Sequence, residues 1–374
     1  MQKNNKTIVS QIISGVLKFL VAVVAFIIVI IIIPSFLSII KGKDIPPADD
    51  LNLQLQTINL PEEENAFYDL NKLYDTEKHQ ELGSLKNIPK GKQLVSDYLN
   101  SDEWNQEVVT QLLTDNEYVL QYFTDAAAKG VFQLPEADSQ SKISSDMPVT
   151  AMNTWREVSR LSGVKAIWLA KNGKNKEALD EASKSIIVGT AIENSQGLLI
   201  THLVGIGIKD SGLDILQKVI SIIPKDSLML SEYKLKLENY QAKGNSAPFI
   251  AEYLVSKQAL DNLEQGRGNQ FGSISKILIK NKFYFKKNLT ISYYSDFYNK
   301  LAIEAEKDCS EVEKVQQSME PLVKGSLIKM YFTENLVGKR FVEIPDTALN
   351  NILEKKCATE KKLKETIQII NSIE

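Results

Sequence analysis

The hydrophobic pattern divides the chain into one uninterrupted apolar run and a much longer region of helical periodicity. The run covers residues 19–40, which are 22 residues without a charged side chain. A helix of that length extends about 33 Å, enough to cross a hydrocarbon core of about 30 Å. Because a lone segment in lipid must satisfy its backbone hydrogen bonds internally, the run predicts a single transmembrane helix.

A cleaved signal peptide is the main alternative for this run. Its apolar region would be shorter, about 7–15 residues, and a small-residue cleavage site would follow it. The run is longer and no such site follows it, so we interpret it as an uncleaved signal-anchor. A buried core helix is disfavoured, because the run has no polar face.

The lysines that flank the run predict its orientation. Lys3, Lys6 and Lys18 precede it together with the terminal amine, whereas Lys41 and Lys43 follow it. Positive charge favours the cytoplasmic side of a membrane. Residues 1–18 are therefore expected to form a short cytoplasmic tail, and the large remainder to lie outside the cytoplasm.

The next segment, residues 41–60, is expected to be a spacer that is stiffened by Pro46-Pro47. Leucines alternate with polar residues near 51–58, which predicts either a short strand or an extended segment. Beyond the spacer, residues 61–374 are expected to form a helical domain, so the predicted fold class is all-α.

Helix signals and breaks punctuate this domain. Pro61 followed by three glutamates is typical of a helix start, because proline fits the first turn and acids stabilise the positive end of the helix dipole. Gly130 is expected to end a helix in the left-handed conformation. The polar stretch 131–147 predicts a long loop, and residues 266–272 predict a flexible break.

Residues 148–193 predict a helical hairpin. One apolar stripe leads to Asn172-Gly173, and a second begins near Lys176 and continues through Ala178. Gly173 and Ala178 resemble the glycine and alanine positions of one tetratricopeptide-type unit, and the resemblance covers about thirty residues. The residue one period after Ala178 is Gly212, in an unrelated context. We therefore interpret the segment as hairpin packing rather than as a repeat.

The charge balance argues against one class of function. Of the 44 lysines and arginines, five lysines lie in residues 1–43, which contain no acid, so the remaining chain carries 39 basic against 47 acidic side chains. Nucleic-acid-binding surfaces are usually basic. We therefore expect no nucleic-acid partner.

Both cysteines, Cys309 and Cys357, follow the anchor. In an oxidising compartment they could form one disulfide, which the loop-entropy model values at about 4 kcal/mol as an upper figure. Two reduced thiols buried in helices fit the spacing equally well. The sequence therefore leaves the pairing open.

No pattern of residues identifies a catalytic centre. Of the two histidines, His79 lies in a charged stretch typical of a solvated turn, whereas His202 lies in an apolar segment typical of a core histidine bonded to a carbonyl. The chain has no His-Glu-x-x-His, Cys-x-x-Cys or phosphate-loop motif, and the glycines of 266–272 do not match the dinucleotide fingerprint. We expect no metal, no cofactor and no catalytic residue that sequence alone reveals.

One region differs from the average composition. No acid occurs between Glu264 and Asp296, where lysines and aromatic residues are frequent. Such residues can contact a lipid headgroup surface or an anionic envelope polymer. The alternative is that the aromatics belong to the core and the lysines to a solvated rim. We define the basic–aromatic strip as the candidate surface formed by Lys282, Lys286, Lys287, Tyr293 and Tyr294.

Four short phrases resemble a loose group of uncharacterised, membrane-anchored helical proteins of bacteria. They are spread over most of the chain, and they are Glu64–Tyr68, Leu203–Ile206, Lys287–Thr290 and Asn335–Lys339. The resemblance implies an anchored helical architecture. It implies no activity and assigns no site residue.

These patterns lead to two functional hypotheses. The first is a membrane-tethered interaction or scaffold protein of the cell envelope, which contacts the bilayer through residues 19–40 and holds a protein partner. The second is an envelope enzyme whose site uses carboxylates or a serine. The absence of a recognisable catalytic pattern favours the first.

Overall fold

The protein is described from a computed structural model. The structure describes residues 2–56, 58–73, 104–134, 149–241, 244–265, 278–316, 332–342 and 346–373, and it describes their side chains except those of 2–13, 27, 30, 31, 34, 149, 150, 227 and 346–348. Every regular element in these ranges is a helix. The predicted all-α class is therefore confirmed.

The chain forms two compact units. Unit 1 comprises Met1–Asp50, Ser256–Phe297 and Gln317–Ile344. Unit 2 comprises Leu51–Val255, Tyr298–Gln316 and Pro345–Glu374. The order of these segments shows that the chain passes from one unit to the other five times.

Unit 1 begins with three consecutive helical segments, which are α1 (Gln2–Ile27), a π-helical turn (Ile28–Ile32) and α2 (Ile33–Lys41). Proline occupies the first turn of α2, the part of a helix in which it is tolerated. Within the described residues, no single helix combines the length and the apolar character that crossing a membrane requires.

Unit 2 is built on three long helices, α6 (Val149–Lys171), α7 (Asn175–Glu193) and α8 (Leu199–Ile222), each of which packs against the other two. Gly173 lies between α6 and α7 with φ of 75°, the left-handed conformation that glycine adopts without strain. The helical hairpin expected at Asn172-Gly173 is present.

Shorter helices cover these three. A 3-10 turn (Glu62–Glu64) leads into α3 (Ala66–Lys72), and α4 (Gln106–Asp115) and α5 (Glu117–Lys129) follow. The predicted helix end at Gly130 is confirmed, since this residue has φ of 64° and its N–H donates to Ala126 O. Helices α3 and α5 pack together, α4 lies on α6, and α5 contacts both α6 and α7.

The C-terminal helix α13 (Asp346–Asn371) completes unit 2. It packs on α8 and on α9 (Ser227–Glu238). Because α13 begins 108 residues after the end of α9 and still further from α8, its position depends on tertiary contacts alone.

Two further helices, α10 (Ala247–Glu264) and α11 (Lys287–Glu306), contribute residues to both units, and α12 (Leu336–Val342) belongs to unit 1. Asn335, which is buried with φ of 53°, precedes α12. Its N–H donates to Phe283 O at 2.8 Å, its Oδ1 accepts from Lys286 N at 2.8 Å, and its Nδ2 donates to Thr290 Oγ1 at 3.0 Å. The phrases Lys287–Thr290 and Asn335–Lys339 therefore lie side by side.

The prediction of a strand near 51–58 is wrong, because residues 51–56 and 58–60 form no strand. The alternation of leucines instead reflects one-sided packing of a non-helical segment. Leu53 and Leu55 are buried, whereas Gln54, Gln56 and Leu51 are exposed. Alternation predicts which side chains face inward, but a strand also needs a neighbouring edge for its hydrogen bonds.

Other sequence predictions fall partly or wholly outside the described residues. His79 and the flexible break at 266–272 lie outside them. So does most of the loop predicted at 131–147, of which residues 131–134 are described as irregular.

Helices α7 and α8 approach each other so closely that their backbones touch. A Cβ built on Gly189 would lie 2.4 Å from Lys209 N, and one built on Gly205 would lie 2.6 Å from Glu193 N and 2.9 Å from Gly189 O. Real Cβ atoms do not approach backbone atoms so closely. The two helices can pack at this distance only because both positions are glycine.

We predict that Gly205→Ala destabilises unit 2 by roughly 1–3 kcal/mol, since the added methyl group forces the two backbones apart. Gly207→Ala in the same helix is the matched control, because no atom lies within 4 Å of its added Cβ. The control should be neutral, or stabilising by up to about 1 kcal/mol through helix propensity. Urea unfolding of the full-length chain can be followed by tryptophan fluorescence, since all three tryptophans lie in unit 2. Equal unfolding midpoints for the two variants would contradict the close contact.

Candidate functional site

The contact between α7 and α8 brings charged side chains into the interior of unit 2. Glu193 is the last residue of α7, and Lys209 lies in the middle of α8. Lys209 is fully buried, with 0% exposure, and Glu193 is also buried. Lys209 Nζ donates to Glu193 Oε2 at 3.1 Å and to Glu360 Oε1 of α13. One buried ammonium therefore links three helices.

A second lysine lies next to this pair of carboxylates. Lys356 of α13 is buried, and its Nζ donates to Ala305 O at 2.8 Å. Burial lowers the pKa of Lys356, and the carboxylates of Glu193, Glu306 and Glu360 oppose this shift. We define the buried charge cluster as Glu193, Lys209, Lys356 and Glu360. Its two carboxylates and two ammonium groups balance, as buried charges require.

His202 lies next to this cluster and contacts the backbone of α7. Its Nδ1 is 2.8 Å from Glu193 O, and because a carbonyl can only accept, Nδ1 carries the hydrogen. Burial lowers the pKa of His202 to about 4, with the Lys356 and Lys209 charges adding to the shift, so the ring is neutral at pH 7. The interpretation of His202 as a core histidine bonded to a carbonyl is confirmed.

The carbonyl of Glu193 also accepts a hydrogen bond from Asn245 Nδ2 at 2.7 Å. This carbonyl at the C-terminal end of α7 has no helical partner, so His202 and Asn245 replace the partner that a longer helix would provide. The carboxylate of Glu193 is less completely satisfied, since its Oε1 has no hydrogen-bond partner among the described residues. Burial raises the pKa of Glu193, and Lys209 opposes that shift.

A disulfide joins the two cysteines beside this cluster. Cys309 lies in the turn after α11 and Cys357 lies in α13, directly after Lys356, with a Cα–Cα distance of 5.3 Å. Asn350 strengthens the same contact about two turns earlier in α13. Its Oδ1 accepts from Val315 N at 2.9 Å and its Nδ2 donates to Val315 O at 2.8 Å. Residues 309–315 are therefore fixed on α13 at two points.

The geometry of the buried charge cluster suits a role in helix packing better than a role in catalysis. An acid–base group acts on a substrate only if the substrate can reach it. Glu193 and Lys209 are closed off by α7, α8 and α13, and each is within an ion pair. Among the described residues, no group of three or more metal-ligating side chains has the geometry to bind a metal ion.

The basic–aromatic strip is divided between interior and surface positions of unit 1. Lys286 is buried, forms an ion pair with Glu334, and donates to Lys43 O at 2.8 Å. Lys287 pairs with Asp261 at 3.2 Å and with Glu264 at 2.6 Å. Tyr294 is buried and its hydroxyl donates to Phe341 O. Tyr293 is half-buried, and Lys282 is exposed.

The segment after the anchor, residues 42–50, is fixed within unit 1. The Asp44 carboxylate accepts from Asn288 N at 2.8 Å and from Leu289 N at 3.1 Å, the first amides of α11. Asn288 Nδ2 donates to Ile45 O at 2.8 Å, and Lys257 forms an ion pair with Asp50. This part of the predicted spacer is therefore docked rather than free, and we call residues 42–50 the neck.

One surface feature was not identified in the sequence. On α9, Leu230, Tyr233 and Leu237 are buried, whereas Leu228 is 85% exposed and Leu235 is 63% exposed. The two exposed leucines are seven residues apart, so they share the outer face of the helix. The sequence of α9 carries apolar residues on two opposite faces. Because only one face can pack on the core, this pattern would have predicted an exposed apolar surface on the other.

The buried charge cluster was also missed, although a signal for part of it exists. Lys209 directly follows the apolar segment 198–208, so a lysine is placed within a core helix. Lysines almost never occur fully buried unless they are paired, so this position predicts a buried carboxylate partner. Nothing local identifies Glu360 as that partner. No protein-family model, no curated protein and no solved structure matches this chain.

We predict that Lys209→Met destabilises unit 2 by about 3–5 kcal/mol, because two buried carboxylates then have only the Lys356 ammonium group of the buried charge cluster to balance them. The double variant Lys209→Met, Glu360→Gln should recover most of that loss, since Glu193 and Lys356 then remain as one carboxylate and one ammonium group. Lys314→Met, which breaks the exposed pair with Glu354, serves as the control and should cost at most about 1 kcal/mol. A double variant no more stable than Lys209→Met would refute this account. The measurement is urea unfolding followed by tryptophan fluorescence.

A second prediction concerns pH. The folded-state pKa of His202, about 4, lies below its ordinary value of 6.5, so the unfolded chain binds more protons between these values. The contribution that a neutral His202 makes to the free energy of unfolding is therefore complete above about pH 6.5. It is lost as the pH falls towards 4. In His202→Asn the amide can still donate to Glu193 O without titrating. The stability difference between wild type and variant should therefore change between pH 7 and pH 4.5, with the wild type losing more. A constant difference across this range, measured by urea unfolding, would show that His202 does not titrate as described.

Proposed function

We propose that this protein is a membrane-tethered helical scaffold of the cell envelope. Residues 19–40 anchor it in the bilayer, residues 1–18 form a cytoplasmic tail, and the large remainder lies outside the cytoplasm. Unit 2 binds a protein partner there. The observation that carries the partner-binding part is the exposed leucine stripe on α9.

The anchor is supported by the exposure of its side chains. Helix α1, the π-helical turn and α2 follow one another without a non-helical residue. Together they would act as one continuous helical rod. Large apolar side chains are exposed along this rod at successive positions, which places them all around the helix. The most exposed include Phe19, Val21, Phe26, Phe36 and Ile39. In water such a surface would be unfavourable, whereas lipid is the solvent that matches it.

The location outside the cytoplasm is supported by the disulfide. Cys309 and Cys357 are bonded and only half-buried, so cellular reductants would have access to them. Disulfides persist in oxidising compartments and are rare in the cytosol. The flanking lysines favour the same orientation.

Partner binding is supported by the outer face of α9. Large side chains such as Leu228 and Leu235 are normally buried, and exposed apolar stripes mark surfaces that associate with other proteins. A stripe of two leucines separated by two helical turns fits a partner helix that carries its own apolar stripe. The structure of unit 2 does not need these leucines, because the opposite face of α9 provides its packing.

An envelope enzyme is the second candidate. The observation that favours it is the unpartnered Glu193 Oε1, which lies among two lysines and a neutral histidine. Ionisable groups with shifted pKa values are frequent in active sites. The scaffold is preferred, because every member of the buried charge cluster is closed off by helices and bonded to another part of unit 2.

We predict that a photocrosslinking amino acid at position 228 gives one discrete adduct in native membranes. The membranes are first washed with alkaline carbonate, which removes proteins that are only peripherally bound. The chain should remain in the pellet because of its anchor. The adduct should disappear in a Leu235→Glu background, since a charge within the stripe disrupts an apolar contact.

Position 238 is the matched control for this experiment, because Glu238 is an exposed polar residue of the same helix. A crosslinker there should give no adduct. Release of the chain by carbonate would refute the anchor. Adducts that are equal at both positions, or that persist with Leu235→Glu, would refute the leucine stripe as the binding surface.

A further inference from the structure

Lysines from two remote parts of the chain lie at the end of the proposed anchor. Lys41 is the last residue of α2, Lys43 follows one residue later, and both are exposed. Gly42 between them is buried against another segment of unit 1, since a Cβ built on it would lie 3.2 Å from Lys282 Cβ. Lys282 is exposed, and so is Lys280. We call Lys41, Lys43, Lys280 and Lys282 the basic collar.

Hydrogen bonds between side chains and backbone groups hold the neck, and with it the collar, in this position. Lys286 Nζ donates to the carbonyl of Lys43 at 2.8 Å. The Asp44 carboxylate binds the first amides of α11, where a negative charge is also favoured by the helix dipole. The segment that carries Lys282 and the end of α2 are therefore fixed on each other without the side chains of the four collar lysines.

The charges of the collar are available for a ligand. Among the described residues, none of its four lysines forms an ion pair. The neighbouring Lys286 and Lys287, in contrast, are neutralised by Glu334 and by Asp261 and Glu264. Unit 1 thus separates lysines that stabilise its interior from lysines that remain exposed at the end of α2.

We infer that the basic collar binds the headgroups of anionic phospholipids. This inference rests on the proposed anchor: if residues 19–40 cross the bilayer, Lys41 and Lys43 lie at headgroup depth, and the Gly42 contact brings Lys282 to the same level. Each lysine near an anionic membrane surface strengthens association by about fivefold at low ionic strength. The effect extends only over a Debye length, about 10 Å at 0.1 M salt. The position at the end of the anchor favours lipid over a soluble anionic polymer.

The test uses the full-length chain reconstituted in vesicles of phosphatidylcholine and phosphatidylglycerol in equal amounts. After carbonate washing and extraction in mild detergent, the lipids that remain bound are measured by mass spectrometry. Wild type should retain severalfold more phosphatidylglycerol than phosphatidylcholine, and 0.5 M salt should reduce this enrichment. Lys280→Gln with Lys282→Gln should lower it severalfold, to no preference, whereas Lys280→Arg with Lys282→Arg should preserve it.

The matched control is Lys314→Gln with Lys361→Gln, which removes two strongly exposed lysines from unit 2 and should leave the enrichment unchanged. If the anchored wild-type chain retains both lipids equally, or if the control lowers the enrichment as much as the collar variant, the inference is overturned while the anchor stands. Loss of the chain on carbonate washing overturns both. If both lipids are retained equally and soluble polyphosphate binds in a way that depends on the collar lysines, the lipid inference is overturned and the ligand is an anionic polymer.

Discussion

The backbone contact between α7 and α8 is the constraint on which unit 2 depends. Gly189 and Gly205 allow the two helices to touch, and the contact leaves no room for a side chain at either position. Lys209 lies on the same face of α8 and is therefore removed from water completely. A buried ammonium without partners would cost several kcal/mol, so the contact requires carboxylates nearby.

This requirement accounts for the position of the C-terminal helix. Glu193 supplies one carboxylate from α7, and Glu360 supplies the other from α13, 151 residues after Lys209 in sequence. Once Glu360 is in place, Lys356 lies one helical turn away, bonds to Ala305 O, and places Cys357 beside Cys309. The ion pairs, the disulfide and the Asn350 bonds therefore act on one interface. Their combined effect is to hold α13 on the core.

Unit 1 follows a different principle, in which polar side chains bind backbone groups. Asn335 joins the start of α11 to α12, and Asp44 and Lys286 join the neck to the same helix end. The chain that leaves the proposed anchor is thus docked directly on a folded unit. For a tethered scaffold this arrangement fixes unit 1 near the membrane, so the neck does not act as a flexible linker. It also leaves the exposed lysines of the basic collar close to the end of α2.

The sequence by itself determined the features that depend on near neighbours. The all-α class, the helix end at Gly130, the hairpin at Gly173 and the core position of His202 follow from helical periodicity, glycine conformation and local polarity. The apolar run at 19–40 is equally local. The predicted strand failed because alternation reports only which side chains face inward, whereas a strand needs a partner edge that the sequence does not show.

The tertiary structure decided which of several chemically similar residues is buried, paired or exposed. Lys282, Lys286 and Lys287 are equivalent in sequence, yet only Lys282 stays unpaired among the described residues, because Glu334, Asp261 and Glu264 lie beside the other two. Likewise, Leu228 and Leu230 are equivalent by composition but lie on opposite faces of α9. The pairing of Lys209 with Glu360 and of Cys309 with Cys357 depends on chain segments that are distant in sequence. Local patterns carry no information about such contacts, since the partner is selected by the packing of whole helices.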